Sequence, residues 1–447
     1  MNILLPEKVE TILNVLQSAG QKAYIVGGCV RDALLGRTPH DWDITTSAPP
    51  GQVKRLFPHT VDTGLKHGTV TVLMGREGFE VTTFRIDGEY EDSRHPKEVV
   101  FSDNLAEDLA RRDFTINAMA YNPREGLMDF YDGVGDLERK IIRCVGEPAE
   151  RFTEDALRIM RAVRFAAQLG FTIDPLTQEA VQSFAPTLKK ISAERIRDEL
   201  LKTIQSPHPE WLRLAWSLGL TKVFLPEFDQ CMACEQNNPH HCYSVGEHIL
   251  HSMENVEPDG LLRLTMLLHD MAKPLCRTRD ENGVDHFYRH GQTGEKLARV
   301  IMHRLRLDSK TIDTVARLVY WHDYRMEPTS VTLRKAVNKM GNDIFPLFLQ
   351  VQRADVLAQS EYKRKEKLER LNRLELLYQD ILASQDCLSL KSLALKGKDL
   401  IEIGYQPGPE LGAELNRLLE RVLVQPELNR KETLLFLARE DKNNSRA

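Results

Sequence analysis

Apolar residues in the opening segment recur at helical spacing, so residues 5–19 read as one amphipathic helix that stops at Gly20. From Ala23 to about residue 145 the pattern changes to short alternating runs, which predicts strands with interspersed helices. The runs TVTVLM (69–74) and FEVTTFR (79–85) flank Gly75-Arg76-Glu77-Gly78 and predict a β-hairpin. From Pro148 onward the alternation disappears, and helical periodicity continues to the end with a turn at Gly404–Pro409. The expected class is α+β: a head on a mixed sheet (1–147), then three helical regions at 148–219, 220–360 and 361–447.

A chain of 447 residues is too long for one core, so three or four modules are expected. No apolar run approaches a membrane span, and the opening MNILLPEKVE lacks a signal-peptide pattern, which makes a cytoplasmic location the default expectation. Seven cysteines, an odd number, argue for reduced thiols over a disulfide framework. A net charge of −5 gives no global sign of nucleic-acid binding, so any such surface is local, as at Lys363-Arg364-Lys365 with Lys367, Arg370 and Arg373.

The strongest chemical signal is Asp41-Trp42-Asp43. On an extended segment both acids project to one side while Trp42 turns toward the core. Carboxylates that close repel unless a cation lies between them, and hard oxygen donors favour Mg²⁺. Just upstream come an apolar strand (Ala23–Val26), a Gly27-Gly28 turn and a helix opening near Cys29 with Arg31 in its first turn, an arrangement suited to an anion. Either feature alone is weak, since two acids in a loop are commonly just solvated. Together they predict nucleotidyl transfer. Glu80, a lone acid within a strand, is the expected third carboxylate, against the alternative of an edge strand facing water.

Arg111 and Arg112 precede Asp113 and Asn117. The arginines either pair with Glu107 and Asp108 or bind a triphosphate, with Asp113 and Asn117 on one helical face beside them. A helix capped at Thr153 is expected to carry Asp155 and then a cationic ridge of Arg158, Arg161 and Arg164. A carboxylate accepts from an exocyclic amino group and a guanidinium donates to ring acceptors, so an Asp–Arg pair suits cytosine and adenine and rejects guanine and uracil.

GGCVRDALLGRTPHDWDITT, FEVTTFR, RRDFTINAMAY, DFYDGVGDLERKIIRCVG, EDALRIMRAVRFAAQLGF and SAERIRDEL follow one another over residues 20–215. In that order they resemble the class II tRNA nucleotidyltransferases, the CCA-adding group of the DNA polymerase β superfamily, which also holds bacterial poly(A) polymerases. The resemblance implies a polymerase β-like head followed by a helical neck. It implies metal binding by Asp41 and Asp43, triphosphate binding by Gly28, Arg31 and Arg112, and base templating by Asp155 and Arg158 with Arg161 and Arg164 nearby. It further implies tRNA, CTP and ATP as partners. Residues 87–101 look like the flexible loop that full CCA-adding members keep. Poly(A) addition, or A addition beside a separate CC-adding enzyme, stays open at this stage.

In the third region His248, His269-Asp270, His290, His322 and Asp355 resemble the ligand series of the HD phosphohydrolase superfamily, which implies one or two divalent cations and hydrolysis of phosphomonoesters or cyclic phosphodiesters. A degenerate, purely structural body is the alternative. A phosphohydrolase whose N-terminal half merely binds nucleotide is the third functional reading. Cys231-x-x-Cys234 with His240, His241 and Cys242 reads as incidental, because only one CxxC is present. The closing segment resembles the tRNA-binding tail of bacterial CCA-adding enzymes, with Lys391, Lys396 and Lys398 as phosphate contacts.

Overall fold

The computed structural model describes residues 2–87 and 99–444, which form two compact units, Met1–Pro226 and Glu227–Ala447. Sequence patterning predicted three or four modules. The helices after Pro148 fall in one or the other of the two compact units.

The first unit is built on a seven-stranded sheet in the order β3-β4-β5-β2-β1-β8-β9, from β1 (Ala23–Val26), β2 (Ile44–Thr46), β3 (Thr60–Gly64), β4 (Thr69–Met74), β5 (Glu77–Thr83), β8 (Met119–Asn122) and β9 (Gly126–Asp129). The pair β2–β5 is parallel and every other pair antiparallel, so the sheet is mixed as expected. The predicted hairpin is β4–β5, in register Met74↔Glu77, with Gly75 at φ +72° in the two-residue turn. After β5, β6 (Arg85–Asp87) and β7 (Val99–Phe101) pair antiparallel as a separate two-stranded sheet. The loop expected over 87–101 therefore falls mostly on residues 88–98, which lie outside the described residues.

Tyr24, Val26 and Ala120 of the central strands pack against Phe84, Leu105, Leu109 and Val145, which fixes the sheet on its helical layer. The amphipathic opening segment is a helix over Glu7–Ser18, burying Val9, Ile12, Leu13 and Leu16. After Pro148 the chain is mostly helical, with two exceptions: Thr172–Ile173 pairs with Ile141–Ile142, and Arg277–Arg279 pairs with Asp285–Phe287. The first pair is only two residues long and the second carries charge, so neither leaves an alternating apolar signal. Among the described residues no helix is long and apolar enough to cross a membrane.

Candidate active site and a candidate metal centre

Asp41, Trp42 and Asp43 lie in extended chain just before β2, and the Val26 N–H donates to the Asp43 carbonyl (3.0 Å), which continues the β1–β2 ladder. Ile44 pairs with Val81, so Asp43 and Glu80 occupy matching steps on neighbouring parallel strands. Asp41, Asp43 and Glu80 are exposed by area, yet they act on one another. Desolvation raises the proton affinity of Glu80, and the charges of Asp43 and then Asp41 raise it further. Asp43 is likewise raised by desolvation and by Asp41, against the opposing pull of Arg112. The ligand atoms of these three carboxylates do not all lie within 4.8 Å of one another, so they close no cage. Mutual repulsion among hard oxygen donors with open positions fits a divalent cation whose shell is completed by phosphate and water.

The helix Gly28–Leu34 follows Gly27, whose φ is +83°. A Cβ built at Gly27 would stand 2.7 Å from a guanidinium nitrogen of Arg112, so the glycine also clears space for that arginine. The two arginines of the 111–112 pair take different roles. Arg111 is committed to Asp108 at 2.7 Å, as a structural pair would be, whereas Arg112 reaches Asp108 only at 3.9 Å and its Nε has no hydrogen-bond partner. Arg112 is therefore the triphosphate candidate of the two.

Arg31 is nearly buried and donates to Asn117 Oδ1 (2.7 Å). Asn117 donates in turn to Asp113 Oδ1 (3.1 Å), and Arg161 donates to Asp113 Oδ2 (2.7 Å). The segment is not the helix expected over 113–117. It is a turn leading into a 3-10 stretch, Thr115–Asn117, before β8, and the side-chain amide closes the distance that a helical turn would have closed. Burial alone would push the Asp113 carboxyl up, but Arg161, Asn117 and Arg158 outweigh it and hold it well below the usual carboxylate range. Arg31, Arg161 and Arg164 surround the buried Phe165 ring, 5.0, 5.3 and 3.9 Å from its centroid. Sequence reading missed Phe165, which looks like any apolar residue on a helix.

The cationic ridge exists, but its start is displaced. A short helix spans Pro148–Glu154, Asp155 breaks it at φ −142°, and the next helix runs Leu157–Leu169. Thr153 belongs to the end of the first helix and donates back to the Ala149 carbonyl; Asp155 is the residue that caps the second, accepting from the Leu157 N–H at 3.0 Å. Asp155 also receives Arg195 of helix Ala193–Ile204 (2.7 Å), while Arg158 pairs with Glu154 and donates to the Arg111 carbonyl (2.7 Å). Arg164 pairs with the buried Glu199. Asp155 and Arg158 therefore face other charges, Arg195 and Glu154, and not each other.

In the second unit His248, His269, Asp270, His290, His322 and Asp355 converge. His248 lies on helix Val245–Glu254, His269 ends helix Gly260–Leu268, His290 opens helix His290–Arg304, His322 follows helix Ser309–Trp321, and Asp355 lies on helix Phe345–Ala358. Ligand atoms of His248, His269, Asp270 and Asp355 lie within 4.8 Å of one another, as do those of Asp270, His290 and His322. Imidazole and carboxylate donors at this spacing suit a transition metal or zinc. Burial would raise the Asp270 carboxyl, yet His269 and Lys273 hold it well below its usual range. The adjoining cavity of about 440 Å³ is lined in part by Lys273, Arg289, Arg325 and Lys367, a cationic wall suited to phosphate. His241 also lines it, with an Nδ1 that makes no hydrogen bond. Sequence reading had set His241 aside with Cys231 and Cys234. Those two cysteines join no ligand group among the described residues; Cys231 instead points at the Met271 carbonyl at 3.7 Å.

A mixed sheet that presents paired aspartates beside a glycine turn, followed by an arginine-lined helix, defines a nucleotidyltransferase head. Family models agree region by region. A Poly A polymerase head domain matches residues 23–143, an RNA- and SrmB-binding site of polymerase A matches 170–232, and a tRNA nucleotidyltransferase domain 2 matches 286–438. The chain is 36% identical to a CCA-adding enzyme of Levilactobacillus brevis over 96% of its own length and 98% of the relative's. It is 37% identical to that of Latilactobacillus sakei, over 97% and 98%. The Bacillus stearothermophilus CCA-adding enzyme, solved in complex with CTP, superposes with a TM-score of 0.74 at 30% identity, covering 99% of each chain. A Thermotoga maritima CCA-adding enzyme complexed with tRNA shares the fold, with a TM-score of 0.59 at 20% identity. The chain belongs to the CCA-adding enzyme family.

Proposed function

We propose that this protein adds C, C and A in turn to tRNA 3′ ends, without a nucleic-acid template, from CTP and ATP. The observation that carries this reading is the likeness to CCA-adding enzymes along almost the whole chain, which includes the strand pair bearing Asp43 and Glu80. The same likeness favours CCA addition over poly(A) synthesis, whose head motifs nearly coincide. Asp41 and Asp43, with Glu80 beside them, are the residues that would hold Mg²⁺. When bound, such ions activate a 3′-hydroxyl and neutralise charge that develops at the α-phosphorus. Arg112, and Arg31 near Gly28, orient the triphosphate for in-line attack. Asp113 and Asn117 brace Arg31 and Arg161 through the hydrogen-bond chain described above. Asp155 and Arg158, with Arg161 and Arg164, select the base, and Arg195 holds the Asp155 carboxylate until a base amino group competes for it.

Functional boundaries on this reading fall at 1–147 for the head, 148–219 for the neck, 220–360 for an HD-type body and 361–447 for a tail. The tail's Lys391, Lys396 and Lys398, with the 363–373 cluster, contact tRNA phosphates. The enzyme acts in the cytoplasm. The body is a metal-dependent hydrolase of phosphate esters, a reading supported by the convergence of His248, His269, Asp270, His290, His322 and Asp355 beside a cationic cavity.

The test is to incubate the purified chain with tRNA lacking its terminus and labelled CTP or ATP. Incorporation of both to a fixed length supports the reading, long A tracts point to poly(A) synthesis, and phosphate release without incorporation points to a hydrolase alone. Asp41→Ala is expected to lower incorporation about a thousandfold or more, the several kcal/mol that metal assistance supplies, with an unchanged circular-dichroism spectrum. Incorporation at the wild-type rate would remove Asp41 from the metal site.

A further inference from the structure

We propose that Phe165 is a positioning residue that ties the triphosphate-side Arg31 to the base-side Arg161 and Arg164 across one aromatic ring, so that both halves of nucleotide recognition answer to the same group. The inference rests on the nucleotidyl-transfer reading above and deepens it.

Phe165 lies on helix Leu157–Leu169, one turn after Arg161 and next to Arg164, and is 5% exposed. The i,i+4 spacing puts its ring on the face that carries Arg161. Arg31 reaches the same ring from helix Gly28–Leu34 of the head. The guanidinium carbons of Arg164, Arg31 and Arg161 stand 3.9, 5.0 and 5.3 Å from the ring centroid, all within the ~6 Å over which an aromatic face attracts a cation. Phe114 meets Phe165 nearly at right angles, with centroids 5.8 Å apart, and so fixes the plane that the arginines use.

Like charges gathered around one buried ring repel, and each needs an opposite charge. Arg31 donates to Asp32 (2.9 Å), Arg161 to Asp113 (2.7 Å) and Arg164 to Glu199. Burial lowers the Arg164 guanidinium below its usual range, Glu199 opposes this, and the charge of Arg161 adds to it. Each carboxylate thus serves its own arginine, whereas the ring is the group that all three share. A leucine would fill much of the same space, but it offers no negative face, and the arginines would lose an attraction that desolvation strengthens. Cations around one ring also compete for its electron density. When a triphosphate neutralises Arg31 that competition falls, and the ring holds Arg161 and Arg164 more firmly beside the base. Triphosphate docking thereby sharpens base selection.

The test places fluorinated phenylalanines at position 165 of the full-length chain: the 4-fluoro, 3,5-difluoro and 3,4,5-trifluoro rings, which nearly keep the shape and progressively withdraw electron density from its face. Steady-state incorporation is followed with CTP on tRNA lacking its terminus, with ATP on tRNA ending in CC, and with UTP as the wrong nucleotide. KM for CTP and ATP is expected to climb with each fluorine, to about tenfold at the trifluoro ring, with kcat within about twofold. Rejection of UTP is expected to relax in step. Fluorine makes the ring more apolar, so a residue that only fills space gives a flat series. Phe165→Leu, checked for folding by circular dichroism, is expected to behave like the trifluoro ring. A flat KM series in a chain that incorporates CTP and ATP overturns the positioning role and leaves nucleotidyl transfer standing. A KM that climbs while UTP rejection stays fixed overturns the tie between the two sets of arginines. A wild-type chain that incorporates neither nucleotide overturns the transfer reading and this role together.

Discussion

At Gly27 two demands meet in one residue: a backbone at φ +83° and an empty place where a side chain would strike Arg112 at 2.7 Å. Alanine there costs about 1–2 kcal/mol in backbone strain and also displaces the guanidinium. Gly27→Ala is expected to raise KM for CTP about tenfold or more with the fold retained, measured by steady-state incorporation. A KM within twofold of wild type would remove Arg112 from the triphosphate. Asp113 carries a second residue-scale consequence. Its folded pKa is depressed, chiefly against burial by Arg161, so its stabilisation is complete above the unfolded value of about 3.9 and is lost as pH falls toward the folded value. Asp113→Asn leaves a half-buried Arg161 facing a neutral group and is expected to cost about 1–2 kcal/mol at pH 7, less than a fully buried pair because solvent screens the guanidinium. Denaturant titrations at several pH values should show the gap to wild type shrinking below about pH 4. A gap constant with pH would mean that charge at this site does not stabilise the fold.

At the scale of elements, three helices together hold the acid proposed to read the base. Asp155 sits in the break between two helices, where it caps one and is gripped by Arg195 from a third. Asp155→Ala is expected to relax discrimination against UTP by about ten- to a hundredfold, the 1–3 kcal/mol typical of a lost bidentate base contact, with a smaller change in KM for CTP. Arg195→Ala should relax it part of the way and Arg195→Lys less, a graded series that a purely structural loss would not give. Unchanged UTP rejection in Asp155→Ala would assign base selection elsewhere. The sequence made the mixed sheet, the β4–β5 hairpin, the acid triplet and the convergent histidines legible, because each depends on local spacing or on unusual residue types. It misplaced the helix start, since Thr153, Glu154 and Asp155 look like a capped first turn while the true cap lies two residues later. Arg195 went unassigned because its partner Asp155 lies far off in the chain, Phe165 because it looks like any apolar residue on a helix, and residues 277–287 concealed a hairpin whose short strands carry charge in place of alternating apolar residues.

Across the whole molecule, the acid triplet and the histidine–aspartate cluster fall in different compact units, Met1–Pro226 and Glu227–Ala447. The two units pack separately, and damage at one site is expected to leave the chemistry of the other in place. His269 is fully buried, and removing its ring leaves both a cavity and an unmet Asp270 oxygen, a loss of about 2–5 kcal/mol to the second unit. His269→Ala is therefore expected to abolish metal-dependent phosphate release and to lower the melting of one transition in a calorimetric scan, while CTP and ATP incorporation at 25 °C stays within about twofold of wild type. Asp41→Ala is expected to do the reverse, losing incorporation and keeping phosphate release with both transitions in place. Parallel loss of both activities in His269→Ala, with a single merged transition, would show that the units unfold as one body and that the second supports the first. Independent loss is the outcome that two separately packed units predict.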